Sequence, residues 1–202
     1  KSGCKIQGLQ IDGNKTTYGS FYNYGIYLYS SSNNTITGNT CNNNNYYCGI
    51  YLYSSSNDNT ITGNTCNNNY YGIYLYSSSN NTVTGNTCNN NSISGIYLYS
   101  SSNNTVTGNT CNNNSNSGIE LYESSNNNTI TGNTCSNNNY GIELYSSSNN
   151  TVTGNTCSNN SRGIELYSSS NNTVTGNTCN NNYYGIYLYS SSNNTVTGNN
   201  CN

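Results

Sequence analysis

The stretch Gly72-Ile73-Tyr74-Leu75-Tyr76-Ser77-Ser78-Ser79-Asn80-Asn81-Thr82-Val83-Thr84-Gly85-Asn86-Thr87-Cys88 recurs, with small changes, eight times along the chain. Its leading glycine falls at Gly25, Gly49, Gly72, Gly95, Gly118, Gly141, Gly163 and Gly185, so the period is 22 to 24 residues. A short Asn-rich spacer separates each cysteine from the next glycine. A fixed period in this range, with no helix-length segment inside it, marks a solenoid.

Each unit holds two alternating runs. In Gly72-Ile73-Tyr74-Leu75-Tyr76 the aliphatic residues share one face and the tyrosines the other, and in Thr82-Val83-Thr84 the valine opposes its two threonines. Gly85 and Asn86, both tolerant of left-handed backbone angles, bend the chain into a third short run, Thr87-Cys88. Three short strands per unit describe one coil of a parallel β-helix. The expected all-β chain is one domain, with residues 1–24 as a degenerate opening coil and 25–202 as eight regular coils.

Substitutions suggest which face is inside. At the Tyr27 position, later repeats place Glu120, Glu143 and Glu165. Stacked carboxylates in a narrow core are costly, so this column is expected to face solvent, with Ile26 and Leu28 turned inward. The step from Gly to Cys is 16 residues except in two repeats, which carry one extra residue near Asp58 and Asn128. Other insertions follow the cysteine, as between Asn42 and Cys48. Insertions therefore belong to corners. One aliphatic pair, one Val or Ile and one Cys are too little apolar surface to order a whole coil. Stacked asparagines at the Asn34 and Asn39 positions are expected to add hydrogen-bonded ladders between coils.

Composition narrows the function classes. Charged residues make up 5% of the 202, and the only cations are Lys1, Lys5, Lys15 and Arg162, so nucleic acid is not a partner. No apolar run of about 18 residues is present to span a bilayer. Disorder is the reading that an Asn-rich composition invites, but it does not require apolar residues at fixed offsets. The chain starts at Lys1 rather than Met, which reads as a processed or fragment end of a secreted or cell-surface protein.

The run Asn171 to Asn182, continued by Tyr183 to Ser192, resembles the right-handed parallel β-helix repeats of NosD-like and archaeal cell-surface proteins, in the pectin-lyase-like class. The resemblance extends over essentially the whole chain. Lys5 to Asn14 looks like its degenerate first coil, with Ile11 at the cysteine position. Such repeats serve binding, surface and enzyme proteins alike. Cysteine in all eight units departs from the aliphatic or small residue usual there.

Four arrays are the candidate functional features. Cys41, Cys66, Cys88, Cys111, Cys135, Cys157, Cys179 and Cys201 form a file at the ~4.8 Å rung spacing. It reads as buried small hydrophobes, with a thiolate metal site as the sharper alternative. Cys4 and Cys48 stand outside it and are candidates for a disulfide. Tyr29, Tyr53, Tyr76, Tyr99, Tyr122, Tyr145, Tyr167 and Tyr189 form a file suited to packing or glycan stacking, Tyr27, Tyr51, Tyr74, Tyr97 and Tyr187 add a second column, and Tyr22, Tyr24, Tyr46, Tyr47, Tyr70, Tyr71, Tyr140, Tyr183 and Tyr184 crowd a turn. Glu120, Glu143 and Glu165 form a carboxylate file that reads as a solvated face or, less simply, a divalent cation site. The Thr-x-Thr pairs, such as Thr82 and Thr84, resemble an ice-binding face as well as ordinary β-sheet surface. Asn14, Asn33, Asn80, Asn103, Asn113, Asn149, Asn171 and Asn193 are candidate N-glycan acceptors.

With no histidine, only Asp12 and Asp58 as aspartates, and no acid–base pair, the chain is expected not to be an enzyme and to need no cofactor. It shows no polar cap at either end, which points to head-to-tail stacking of copies or to truncation of a longer protein. The leading expectation is an extracellular structural protein that stacks into a filament or surface layer. A carbohydrate- or surface-binding module is the alternative, and ice binding a minor one.

Overall fold

The computed structural model describes residues 3–13, 23–44 and 47–202. The Asn14 sequon, Lys1, Lys15, Tyr22 and Tyr46 lie outside the described residues. Among those described there is no helix, and the strands wind as the parallel β-helix expected from the repeat. Nine Thr-x-Thr-type strands, from Lys5–Gln7 through Thr35–Thr37 to Thr195–Thr197, stack into one sheet. Eight strands from Ile26–Tyr29 to Tyr184–Tyr189 form a second. The third face is narrow: Gln10–Asp12 pairs with Thr40–Asn42, and from there single parallel bridges run from Thr40–Thr65 to Thr178–Asn200.

Register is locked residue on residue. Ile96 lies beside Ile73 and Ile119, and Leu98 beside Leu75 and Leu121. In that coil Ile96, Leu98, Val106 and Cys111 are all fully buried, which completes the inward set read from alternation. Ile6 pairs with Ile36 and Ile11 with Cys41, so the first stretch is a degenerate coil in register with the rest. The cysteine faces glycine across the narrow core. A Cβ on Gly95 would stand 2.9 Å from the Cys111 Cβ and 2.7 Å from the carbonyl oxygen of Gly118. The Gly–Cys pair is thus one packing unit, and its cysteine is the small apolar side chain that a closely approaching backbone leaves room for.

Corners follow a rule that the repeat alone did not reveal. Ser77, Asn80, Gly85 and Asn90 take left-handed angles, with φ of 46°, 59°, 63° and 57°. Each is followed by a buried polar residue: Ser78, Asn81, Asn86 and Asn91. Three asparagine files therefore run along the molecule, at a five-residue spacing within each coil. The sequence reading named the Asn34 and Asn39 files; the third, through Asn44, Asn69, Asn91, Asn114 and Asn138, lay hidden in the spacer.

The ladder bonds are specific. Asn86 donates from its main-chain N–H (2.8 Å) and its Nδ2 (3.0 Å) to Asn109 Oδ1 in the next coil. Its Nδ2 also donates to the Ile61 carbonyl of the preceding coil at 3.0 Å. One carboxamide thus ties three coils together. The serines tie two coils with one oxygen: Ser101 Oγ accepts from the Ser78 N–H at 3.0 Å and donates to the Leu75 carbonyl at 3.1 Å. In the opening coil Cys4 and Leu9 take the asparagine places, and their N–H groups donate to Asn34 Oδ1 and Asn39 Oδ1.

One expectation is corrected. The extra residues do not sit at Asp58 and Asn128 but at the serine corner, where Ser54 and Ser55, and Glu123 and Ser124, are both left-handed in place of a single Ser77. Asp58 takes the ordinary corner conformation (φ 56°), and Asn128 is a buried ladder member. The ladder explains this: a residue inserted between Ser56 and Asn59 would shift two inward hydrogen-bonding groups, whereas one looped out before Ser56 shifts none.

Replacing one central rung tests the ladder. Asn109→Ala orphans the buried Asn86 N–H and the Val83 carbonyl, to which Asn109 Nδ2 donates at 2.9 Å. A loss of about 2–4 kcal/mol in urea unfolding is expected. An exposed control, Asn113→Ala, should cost well under half of that.

Candidate functional site

The chemistry-bearing side chains of the described residues gather on the outer side of the Ile–Leu sheet. Two columns leave this sheet. The first, from Tyr29 to Tyr189, is an unbroken file of eight tyrosines. Its central members stack almost face to face: Tyr76 on Tyr99 at 4.9 Å and 1°, and Tyr145 on Tyr167 at 4.9 Å and 3°. Stacking along the axis occupies the ring faces with one another, so solvent meets ring edges and hydroxyls. The file is a ridge of phenols at the rung spacing.

The second column corrects the expectation of a solvated face. Tyr51 and Tyr97 are buried, and so are Glu120 and Glu165, the latter 2% exposed; Glu143 is half-buried. These side chains do leave the core, but residues just before each glycine pack over them: Tyr24 and Tyr47 over Tyr51, and Tyr71 over Tyr97. The carboxylates under this cover have donors. Ser94 Oγ donates to Glu120 at 2.6 Å, Ser117 Oγ to Glu143 at 2.7 Å, and Arg162 pairs with Glu165. Hydroxyl and guanidinium donors are what the cost argument had left out.

Burial raises all three carboxyl groups above the ordinary range. For Glu120 it outweighs the Ser94 and Asn116 hydrogen bonds, and for Glu165 it outweighs Arg162. Glu143 is pushed up to about 7, by burial first and then by repulsion from Glu120, with a further push from Glu165. A group raised in the folded state destabilises that state as it ionises, so stability is full below the unfolded value of 4.5 and falls as pH rises through about 7. Glu143→Gln should therefore flatten the loss between pH 4.5 and 8 and raise the pH 8 melting temperature by roughly 5 °C, read by calorimetry.

The other predicted site residues are placed as follows. Cys41 to Cys179 form a fully buried file, and Cys201 is exposed. Burial holds the thiols of Cys66, Cys111 and Cys157 well above the usual range, whereas at Cys88 and Cys135 burial is outweighed by hydrogen bonds from the neighbouring thiols, which lower them. Cys4 and Cys48 are not joined: both are free thiols, Cys4 exposed at an asparagine corner and Cys48 buried in the strand Cys48–Tyr53. Asn33, Asn80, Asn103, Asn113, Asn149, Asn171 and Asn193 are all exposed left-handed corner residues, with φ between 56° and 59°. The Thr-x-Thr strands stand in register with threonines outward, as Thr82 beside Thr105.

Comparisons with known proteins bear on this face. The profile of the family described as periplasmic copper-binding protein (NosD) matches residues 1–134 and 121–202. Curated protein sequences give no match. Among solved structures, the periplasmic alginate epimerase AlgG is similar with a TM-score of 0.79 and 24% identity over 87% of this chain and 47% of that one. The Azotobacter vinelandii mannuronan C-5 epimerase AlgE4 A-module is similar with a TM-score of 0.77 and 18% identity over 98% and 56%. The Dettilon tailspike protein gp208 is similar with a TM-score of 0.70 and 17% identity over 99% and 54%. The chain spans about half the length of these structures. They establish the shared β-helix fold. The expectation that the chain is not an enzyme does not stand, because its fold is one that alginate epimerases use.

Proposed function

Because the chain belongs to the NosD family, we propose that it acts at the cell envelope or outside the cell as a β-helix that engages carbohydrate through its tyrosine face. The observation that carries this reading is the unbroken Tyr29-to-Tyr189 file. It repeats a hydroxyl and an aromatic edge at every coil in strict register, an arrangement that complements a ligand which is itself a repeating polymer. Support comes also from the fold's use in alginate epimerases and a phage tailspike. No helix among the described residues is long and apolar enough to cross a membrane. The seven exposed corner asparagines are read as N-glycan acceptors within the same proposal. The end-to-end filament expected from the sequence draws on the ends of the chain, whereas the features that favour a ligand lie along its side.

Copper, named in the family's description, does not fit the donors of this chain. It has neither histidine nor methionine, the soft and borderline ligands other than thiolate. Its core cysteines stand one per coil, packed against glycine. Among the described residues no group of three or more His, Cys, Asp or Glu side chains is placed to hold a metal ion. No step of the proposed function runs through a metal.

Titration of the full chain with a panel of acidic and neutral polysaccharides tests the reading. Saturable binding of at least one polymer is expected. Tyr99→Ala together with Tyr145→Ala should weaken it about tenfold or more, and the corresponding Phe pair should weaken it measurably because the ligand meets hydroxyls. Absence of binding to every polymer, or an unchanged affinity in the double Ala variant, would overturn it. Magnetic resonance of the polymer after incubation shows whether it is altered as well as bound.

A further inference from the structure

Away from the Tyr29 file, Tyr47, Tyr70, Tyr71 and Tyr74 line a cavity of about 240 Å³. Its walls are set at angles to each other. Tyr70 meets Tyr71 edge to face, with centroids 5.1 Å apart and planes at 87°, and Tyr71 meets Tyr74 at 5.1 Å and 46°. Tyr97 backs two of them, stacked on Tyr71 at 4.9 Å and lying 4.8 Å from Tyr74, and Tyr51 stacks on Tyr74 from the preceding coil at 4.8 Å, so Tyr74 braces the wall between two rings. That packing holds the walls in place without a ligand. Among the described residues the lining is made of tyrosines, with no carboxylate.

The chain shows elsewhere what such surroundings hold. Tyr71 occupies the strand position directly before a glycine, and Arg162 occupies the same position further along. The Arg162 guanidinium carbon lies 4.4 Å from the Tyr187 ring centroid, 5.4 Å from Tyr140 and 6.0 Å from Tyr184, and the guanidinium pairs with Glu165. One cation is thus enclosed by three tyrosines on the same outer face. At the Tyr47 cavity a ring replaces the arginine, and a space is left among the rings.

We propose that this tyrosine cage is a binding site for an organic cation of the quaternary ammonium class. Ring faces attract cations through their quadrupole, and the attraction grows when the cation is desolvated. A cage without a lining carboxylate cannot replace the hydration of a compact ammonium ion, so it favours a large cation that sheds water easily. The methyl groups of a quaternary ammonium also present apolar surface to the rings. The proposal does not depend on the glycan reading, since none of the four cage tyrosines belongs to the Tyr29 file.

The test titrates the full chain with choline, followed by tyrosine fluorescence, beside its neutral isostere 3,3-dimethylbutan-1-ol. Saturable choline binding is expected, with the isostere weaker by about tenfold. Tyr71→Ala should weaken choline about tenfold, while Tyr71→Phe, which keeps the ring, should stay within about threefold of the parent. Tyr70→Ala provides the second variant: Tyr70 is 37% exposed, so its loss leaves the fold intact and should still weaken binding several-fold. Co-sedimentation with phosphatidylcholine vesicles, run in parallel, tells a lipid headgroup from a free ligand. No saturation by choline at millimolar concentration, equal binding of the isostere, or unchanged affinity in both Ala variants would overturn the proposal.

Discussion

Everything in this molecule depends on the carboxamide that reaches from one coil to the next. An aliphatic pair, a valine or isoleucine and a cysteine form a core too thin to order a coil of more than twenty residues. The asparagine files add what the core lacks. Each Oδ1 accepts a corner N–H that would otherwise be buried without a partner, and many of the Nδ2 groups cover a carbonyl of that same preceding coil. Because buried polar groups left unpaired are costly, the ladder works as a constraint as much as a bond: every coil must place its inward asparagines at the same height and angle. Register, corner geometry and the position of insertions all follow from it.

That constraint frees the outer face. With the inside committed to Ile, Leu, Val, Cys, Ser and Asn, the column at Tyr27 can change from tyrosine to glutamate and back without altering the winding. The cover over it changes in step. Serines at Ser94 and Ser117 meet Glu120 and Glu143, Arg162 meets Glu165, and tyrosines meet tyrosines. The outer layer is therefore built from local pairs on a scaffold that does not vary, and its chemistry differs from one stretch of the axis to the next.

The alternation in Gly72-Ile73-Tyr74-Leu75-Tyr76 was enough to place the core, the register and the tyrosine file, because a two-residue period leaves little choice once one face is apolar. The first corner files were legible from Asn34 and Asn39 for the same reason. Asn44 was not, since it sits in a spacer whose neighbours are also asparagine and only its left-handed predecessor Asn43 (φ 61°) marks it. The buried glutamates were misread because their donors, Ser94, Ser117 and Arg162, precede the repeat's glycine at positions that look variable. Variation there was a signal: Ser94-Gly95 and Ser117-Gly118 stand one coil before Glu120 and Glu143, and Arg162 stands in the same coil as Glu165. The four-tyrosine cage joins spacer and strand residues of two coils, a closeness that follows only once the winding is known.

The ladder also has a direction. Along the three buried asparagine files the corner N–H of one coil donates to the Oδ1 of the coil that follows it, whereas along the outer file through Asn42, Asn67, Asn89 and Asn112 the later coil donates to the earlier. The side-chain dipoles of the buried files are accordingly aligned from one end of the axis to the other, much as peptide dipoles align in a helix, although the described residues form no helix. A coil turned over would meet acceptor with acceptor. The molecule is in this sense a one-way scale, on which tyrosine, carboxylate and again tyrosine are graduations in a fixed order. A long ligand lying along that face would find its two directions inequivalent.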